Sequence, residues 1–388
     1  MTCLPRRDFL KFATGAFALP ALSLSPAAGQ LAVNPPKLPE VMPAERAAMA
    51  KLALAFMEKY DVPALSFAIG YGGEIIHADA FGFADRERSE PVSPAHRFRI
   101  ASVSKMLTSA AIFSLIEQGR ITLSDYVFGP GAVLGTDFGR PPYSAGIDQI
   151  TLEHLLMHTA GGWANGRGDP MFRPPNLSHF ELIAWVLADR PLDHPPGTTH
   201  AYSNFGYCVL GRVIEKLTRR PYGDYIRGQI LNRCGVTEMT IAGNTLEQRQ
   251  SGEVKYYAQG GENPYGMNVR RMDSHGGWIA RPADVVNFLM HIDGYAKPPN
   301  ILKPDTIRTM TTGSAVSPGY AKGFSINKYG NVWHNGSLPG TSTIAVRTRG
   351  GFCWAAFTNT RRNNSALNSD LDRLNWDMVR KVASWQVS

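Results

Sequence analysis

Apolar residues recur at helical spacing in widely separated stretches of this chain, and between them stand shorter runs with the look of strands. Over residues 45–60 they fall at Ala48, Met49, Leu52, Ala55 and Phe56, a stripe that predicts a helix. Residues 64–71 and 74–81 are short and rich in strand formers, and Gly72-Gly73 joins them, which predicts a β-hairpin. A second helical stripe, Met106, Leu107, Ala110, Ala111 and Leu115, closes at Gly119. From about 121 to 239 helical patterns alternate with loops rich in glycine and proline. Residues 283–292 again read as helix, 344–347 and 352–358 as paired strands, and 367–385 as a final amphipathic helix. Terminal helices therefore bracket a sheet drawn from both ends of the chain. The expected class is α/β (α+β), with a mainly helical domain over about 121–265 inserted between the halves and a site at their junction.

The first thirty residues stand apart. Arg6-Arg7-Asp8-Phe9-Leu10-Lys11, an apolar stretch over 12–24 and the small residues Ala27-Ala28-Gly29 predict a twin-arginine export signal over 1–30. A proline-bearing linker over 31–44 follows, leaving 45–388 as the functional domain. The apolar stretch is short for a spanning helix, so the expectation is a periplasmic protein with no stable membrane insertion once the signal is cleaved. The formal charge is +8, but the basic residues are scattered and form no polybasic run, which argues against a nucleic-acid partner. Cys3 leaves with the signal. Of Cys208, Cys234 and Cys353, at most two can pair, and Cys208 and Cys353 sit among apolar neighbours as small hydrophobes do.

Candidate chemistry lies in three motifs: Ser102-Val103-Ser104-Lys105, Tyr202-Ser203-Asn204 and His334-Asn335-Gly336. A serine hydroxyl is a weak nucleophile until its proton is removed, and a lysine three residues later on a helix lies one turn away on the same face. A tyrosine can share that proton if nearby cations stabilise its phenolate. Each motif also has a second copy: Ser325-Ile326-Asn327-Lys328, Tyr329-Gly330-Asn331 and His275-Gly276-Gly277. Context separates them. Ser102 opens a helical run, whereas Ser325 lies in a strand-and-turn pattern in which positions three apart face opposite ways. His154 and His158 stand at i and i+4, but Leu155 occupies the place where a zinc-protease motif needs glutamate, so both read as helix-end packing and no metal is expected. No G-x-S-x-G elbow occurs.

The motifs, together with the phrases Phe98 to Lys105, Ile150 to Gly162 and Tyr202 to Tyr207, resemble the serine β-lactamase and penicillin-binding protein superfamily, in the branch of class C β-lactamases, DD-peptidases and related esterases. The resemblance covers roughly 45–385. It implies a β-lactamase/transpeptidase-like fold with an antiparallel sheet, no cofactor, and catalysis by Ser102, Lys105 and Tyr202 through an acyl-enzyme. Asn204, His334, Gly336 and Ser337 are then expected to bind substrate, and the backbone N–H groups of Ser102 and Ser337 to form the oxyanion hole. One departure stands out: His334 occupies a place where these enzymes usually carry lysine, and histidine near neutral pH is mostly uncharged. This favours an esterase or amidase of small substrates, with Arg361 or Arg347 as replacement carboxylate clamps. The alternatives are a β-lactamase or DD-carboxypeptidase acting on β-lactams or peptidoglycan peptides, and a non-catalytic binding protein on the same scaffold. Trp163, Phe172, Trp278 and Trp333 are the aromatic candidates for cleft walls, each read singly as core.

Overall fold

All eight residues of the strand Ala64–Tyr71 are buried, which an antiparallel strand achieves only in the middle of a sheet covered on both faces. The computed structural model describes residues 37–38, 40–172, 176–362 and 365–385, so the export signal and the first part of the linker lie outside the described residues. The strands are β1 (Ala64–Tyr71), β2 (Glu74–Asp85), β3 (Glu90–Pro91), β4 (Phe98–Arg99), β5 (Thr240–Ile241), β6 (Tyr257–Ala258), β7 (Trp278–Ala280), β8 (Ser325–Ile326), β9 (Val332–Leu338), β10 (Thr341–Arg347), β11 (Phe352–Thr358) and β12 (Thr360–Arg361). The α-helices are α1 (Pro43–Tyr60), α2 (Ser104–Glu117), α3 (Leu152–Leu156), α4 (His179–Asp189), α5 (Asn204–Thr218), α6 (Tyr222–Ile226), α7 (Pro282–Met290), α8 (Pro304–Met310) and α9 (Ser365–Lys381).

The main sheet runs β3-β2-β1-β11-β10-β9-β8, and its paired strands are antiparallel. The two ends of the chain meet at its centre, where Leu65 lies opposite Thr358 and Tyr71 opposite Phe352. Period-two alternation assigns the faces. Leu65, Phe67, Ile69, Ile344, Val346, Trp354 and Ala356 point to the side covered by α1 and α9, where Trp354 meets Trp376 edge-on at 4.6 Å. The opposite face carries smaller side chains, Ala64, Ala68, Ala345, Cys353 and Ala355, within the apolar cluster that also holds α2, α5 and α7. Small residues let α7 approach closely. A Cβ on Gly70 would come within 2.6 Å of Val286 and 2.9 Å of Met290.

The α/β architecture expected from the apolar pattern, a sheet drawn from both chain ends and flanked by the terminal helices, is the one observed, with both helices on the same face. Two details differ. The last helix ends at Lys381 and a separate 3₁₀ turn, Ala383–Trp385, completes the stretch. The stretch over 121–265 supplies α3 to α6 but also β5, which joins β4 and β7 in a second sheet, and β6, which pairs with β12. Two-residue strands are too short to leave a period-two signature. Cys208, Cys234 and Cys353 are buried free thiols.

A buried ion pair ties α5 to the segment before β7: Arg212 donates to Asp273 at 2.6 Å, and Asp273 also accepts the Ser274 N–H at 2.6 Å. Burial alone would raise the Asp273 carboxyl, but Arg212 and His179 hold it well below the ordinary carboxylate range. A depressed carboxyl stabilises the fold above its unfolded pKa, near pH ~4, and that stability is lost as pH falls. Asp273→Asn should therefore cost about 3 kcal/mol at neutral pH, since Arg212 keeps only the half-exposed Glu215. Denaturation at pH ~7 and pH ~3 checks this: the gap between wild type and variant should shrink at the lower pH.

Candidate active site

Ser102 sits in a 3₁₀ turn, Ala101–Val103, between β4 and α2. β4 pairs with β7, and the Ile100 N–H donates to the Trp278 carbonyl at 2.9 Å. From the main sheet, the hydroxyls of Thr341 and Thr343 donate to the carbonyls of Arg99 and Ile100 at 3.0 and 2.9 Å. Two sheets thus clamp the turn. The clamp holds Ala101 at φ +47°, a left-handed conformation that costs a non-glycine residue about 1–3 kcal/mol. Arg99, buried, anchors the neighbouring loops through the carbonyls of Pro264 and Gly243 and lies over the Tyr256 ring at 4.3 Å. Ala101, Val103, Ser104 and Lys105 are buried, and Ser102 alone in this stretch opens outward.

Lys105 reaches back along α2 as the helical spacing predicts. Its Nζ lies 3.0 Å from Ser102 Oγ, and it donates also to Asn204 Oδ1 at 2.7 Å and the His275 carbonyl at 3.1 Å. Complete burial, opposed by Asp169, pushes the amine down to about 7. Its Nζ stands 4.9 Å from the centre of the Tyr202 ring. Burial drives the Tyr202 phenol the other way, well above its ordinary value, with a hydrogen bond to Ser102 pulling against it and Asp169 adding to the rise. The sequence suggested a tyrosine lowered by cations. The structure instead lowers the lysine and keeps the tyrosine protonated, because both groups lose water and water favours the charged form of each.

Asn204 is held from both ends. Its Oδ1 faces Lys105 while its Nδ2 donates to Asp169 Oδ2 at 2.6 Å, so this Asp fixes the amide orientation. Asp169 is itself buried and lines the cleft; burial raises its carboxyl, and the Met171 N–H and Asn204 oppose the rise. Sequence reasoning missed it. Its only local signal is an Asp before Pro170, which reads as a turn.

β9 forms the facing wall. His334 is buried; its Nδ1 lies 2.7 Å from the Asn335 carbonyl, which can only accept, so Nδ1 carries the proton and Nε2 accepts from the Tyr320 hydroxyl at 3.1 Å. Burial, and secondarily the charge of Lys105, depress the imidazole to about 3, and His334 is a neutral wall at any ordinary pH. Tyr320 is the second residue missed from the sequence. Gly336 lines the cleft and is also demanded by packing. A Cβ there would overlap the Ile100 carbonyl, the Thr343 hydroxyl and Ala101, so glycine lets β9 press against the Ser102 turn. Ser337 lines the cleft beside it.

The cleft encloses ≈ 650 Å³ and brings together Ser102, Tyr202, Asn204, His334, Gly336 and Ser337, with Lys105 behind them. Arg361 also lines it, paired with Glu262. Arg347 does not: it is half-buried at the end of β10, beside Asp293, Tyr295 and Cys353. Of the aromatic candidates, Phe172 and Trp333 line the cleft, whereas Trp163 and Trp278 are core. Ser325 reaches the cleft from β8, but Lys328 lies against the Tyr329 ring, so the second S-x-x-K makes no pair. His154 accepts the Thr151 N–H and caps its own helix.

With this geometry in place, the comparisons with known proteins are specific. A family model described as Beta-lactamase matches residues 49–375. Penicillin-binding protein 4 of Amycolatopsis lactamdurans is 25% identical over 347 residues, 79% of this chain and 86% of that protein. Protein flp of Staphylococcus aureus (strain MRSA252) is 26% identical over 204 residues, 53% of this chain but only 40% of that longer protein. Among solved structures, D-amino acid amidase from Ochrobactrum anthropi SV3, complexed with L-phenylalanine amide, gives a TM-score of 0.72 at 20% identity over 89% of this chain and 100% of that one. EstCE1, a hydrolase with promiscuous acyltransferase activity, gives 0.68 at 20% identity over 86% and 98%. At such identities these two structures speak to the fold, and this chain shares it.

The tight seat of Gly336 carries a prediction. Gly336→Ala should cost about 1–3 kcal/mol through overpacking and push the Ser102 turn away from β9. A lowered urea midpoint with an unchanged slope checks the first part. A crystal structure of the variant with an undisturbed Ile100 carbonyl would contradict the second.

Proposed function

The chain belongs to the beta-lactamase family, and from that premise we propose that it is a serine hydrolase that forms an acyl-enzyme on Ser102, with neutral esters as its preferred substrates and neutral amides next. The observation that carries this reading is the 3.0 Å contact between Ser102 Oγ and a lysine amine that burial lowers to about 7. A neutral amine at that distance takes the hydroxyl proton as Oγ attacks the acyl carbon. The oxyanion that forms meets the backbone N–H groups of Ser102 and Ser337. Tyr202, kept protonated, gives its proton to the departing alkoxide or amine, and the ammonium of Lys105 returns a proton to Tyr202. In the second half water attacks the acyl group, its proton passes to the Lys105–Tyr202 pair, and Ser102 leaves reprotonated.

The substrate preference rests on His334. Its proton is committed to the Asn335 carbonyl and its other nitrogen to Tyr320, so it brings no positive charge to a substrate carboxylate. One observation favours a second reading, hydrolysis of anionic β-lactams or peptides: Arg361 stands at the cleft wall. Glu262 already neutralises it, which ranks this reading lower.

Export through the twin-arginine route is part of the same proposal. Among the described residues no helix is long and apolar enough to cross a membrane. Arg6→Lys combined with Arg7→Lys should leave the protein in the cytoplasm, and normal periplasmic recovery on cell fractionation would end the idea.

For the chemistry, kcat/KM toward a neutral nitrophenyl ester should exceed that toward a cephalosporin, and it should rise with pH through about 7 as Lys105 loses its proton. Ser102→Ala should abolish labelling by a fluorophosphonate, and Tyr202→Phe should lower turnover by about 10²–10⁴. Steady-state kinetics decide: a tenfold preference for the cephalosporin would replace the esterase reading with the β-lactamase one.

A further inference from the structure

His158 does more than pack the end of α3. It adopts φ +59°, left-handed for a residue that is not glycine, and is 1% exposed. In this conformation it grips the chain on both sides of Tyr202: its carbonyl accepts the Ala201 N–H at 2.7 Å and its Nδ1 accepts the Ser203 N–H at 3.2 Å. Its ring lies against the Tyr202 ring, with centroids 4.2 Å apart. From the same loop the Asn165 N–H donates to the Tyr202 carbonyl at 2.9 Å. Ser203 then caps α5, its hydroxyl accepting the Gly206 N–H.

Two features of His158 cost stability. The left-handed backbone is strained. Because Nδ1 accepts, the neutral ring carries its proton on Nε2, and that nitrogen has no hydrogen-bond partner among the described residues though fully buried. Burial, with the charge of Lys105 added, keeps the ring neutral, so Nδ1 stays an acceptor. A leucine would remove the orphan donor but also the acceptor for Ser203. We propose that His158 is a positioning residue which, acting through Tyr202, aims the phenol hydroxyl at Ser102. The inference rests on the catalytic reading of Tyr202 given above.

The test uses a double-mutant cycle on the full-length protein with a neutral nitrophenyl ester: His158→Asn and His158→Ala, each in wild type and in Tyr202→Phe, with melting temperatures and fluorophosphonate labelling measured in parallel. Asparagine tolerates the left-handed backbone and offers an acceptor near the place of Nδ1, but lacks the ring. Loss of aim should lower kcat by about a hundredfold in His158→Ala with KM little changed. Asparagine should restore about tenfold of that, the scale of a retained hydrogen bond to a buried donor. In the Tyr202→Phe background, where no phenol proton remains to be aimed, His158→Ala should cost less than about twofold. Equal losses in both backgrounds, or an asparagine variant no better than alanine, would overturn the proposal. If His158→Ala does not fold, His158→Asn carries the cycle: its remaining loss should vanish in Tyr202→Phe, and persistence of that loss would count against the proposal. A wild type that fails to label would sink the serine-hydrolase reading and this one with it, whereas a labelled wild type with an additive cycle sinks this one alone.

Discussion

A lysine amine withdrawn from water is the constraint on which the rest of the site depends. Solvated, Lys105 would be an ammonium at neutral pH and could only donate to Ser102. Buried where α2, which carries it, meets the start of α5, it is pushed down to about 7 and can accept. Two of its partners are in turn secured: Asn204 by Asp169 at the cleft wall, and the His275 carbonyl by the segment that Arg212 and Asp273 anchor. The Arg212–Asp273 ion pair therefore bears on the chemistry although neither residue lines the cleft.

The same withdrawal from water sets the character of the walls. His158, His275 and His334 all lie close enough to Lys105 for its charge to depress them further, and burial has already made them neutral. His158 Nδ1 and both ring nitrogens of His334 serve as fixed acceptors or donors, not as titrating groups. With Tyr202, Tyr207 and Tyr320 packed among them, the cleft presents aromatic and hydrogen-bonding surface while Arg361, the cation at its rim among the described residues, is paired. Low charge in a desolvated cleft keeps the lysine poised, since a carboxylate beside it would raise its pKa, as Asp169 does in part.

Part of the backbone strain lies where the reacting groups are aimed. Ala101, His158 and Trp163 have positive φ, Ala101 in the turn that carries Ser102 and the other two in the loop after α3 that packs against the Tyr202 segment. Such conformations persist when surrounding bonds over-determine them. The two threonines of β10, the close seat of Gly336 and the carbonyl and ring nitrogen of His158 supply those bonds. The site is thus held by the meeting of two sheets and a helix cap, and no single element could position it.

What the sequence determined by itself was whatever a short period can encode. The helix α1, the hairpin of β1 and β2, the C-terminal strands and the reach of Lys105 back to Ser102 all follow from spacings of two to four residues, and the strand setting of Ser325 ruled out its lysine for the same reason. Asp169, Tyr320 and the grip of His158 on Tyr202 were not legible, because each depends on residues 14 to 45 positions away whose approach has no local signature. Nor was the direction of the pKa shifts. Lysine and tyrosine start from similar values in water, and only the depth at which the fold buries them decides that the amine falls and the phenol rises.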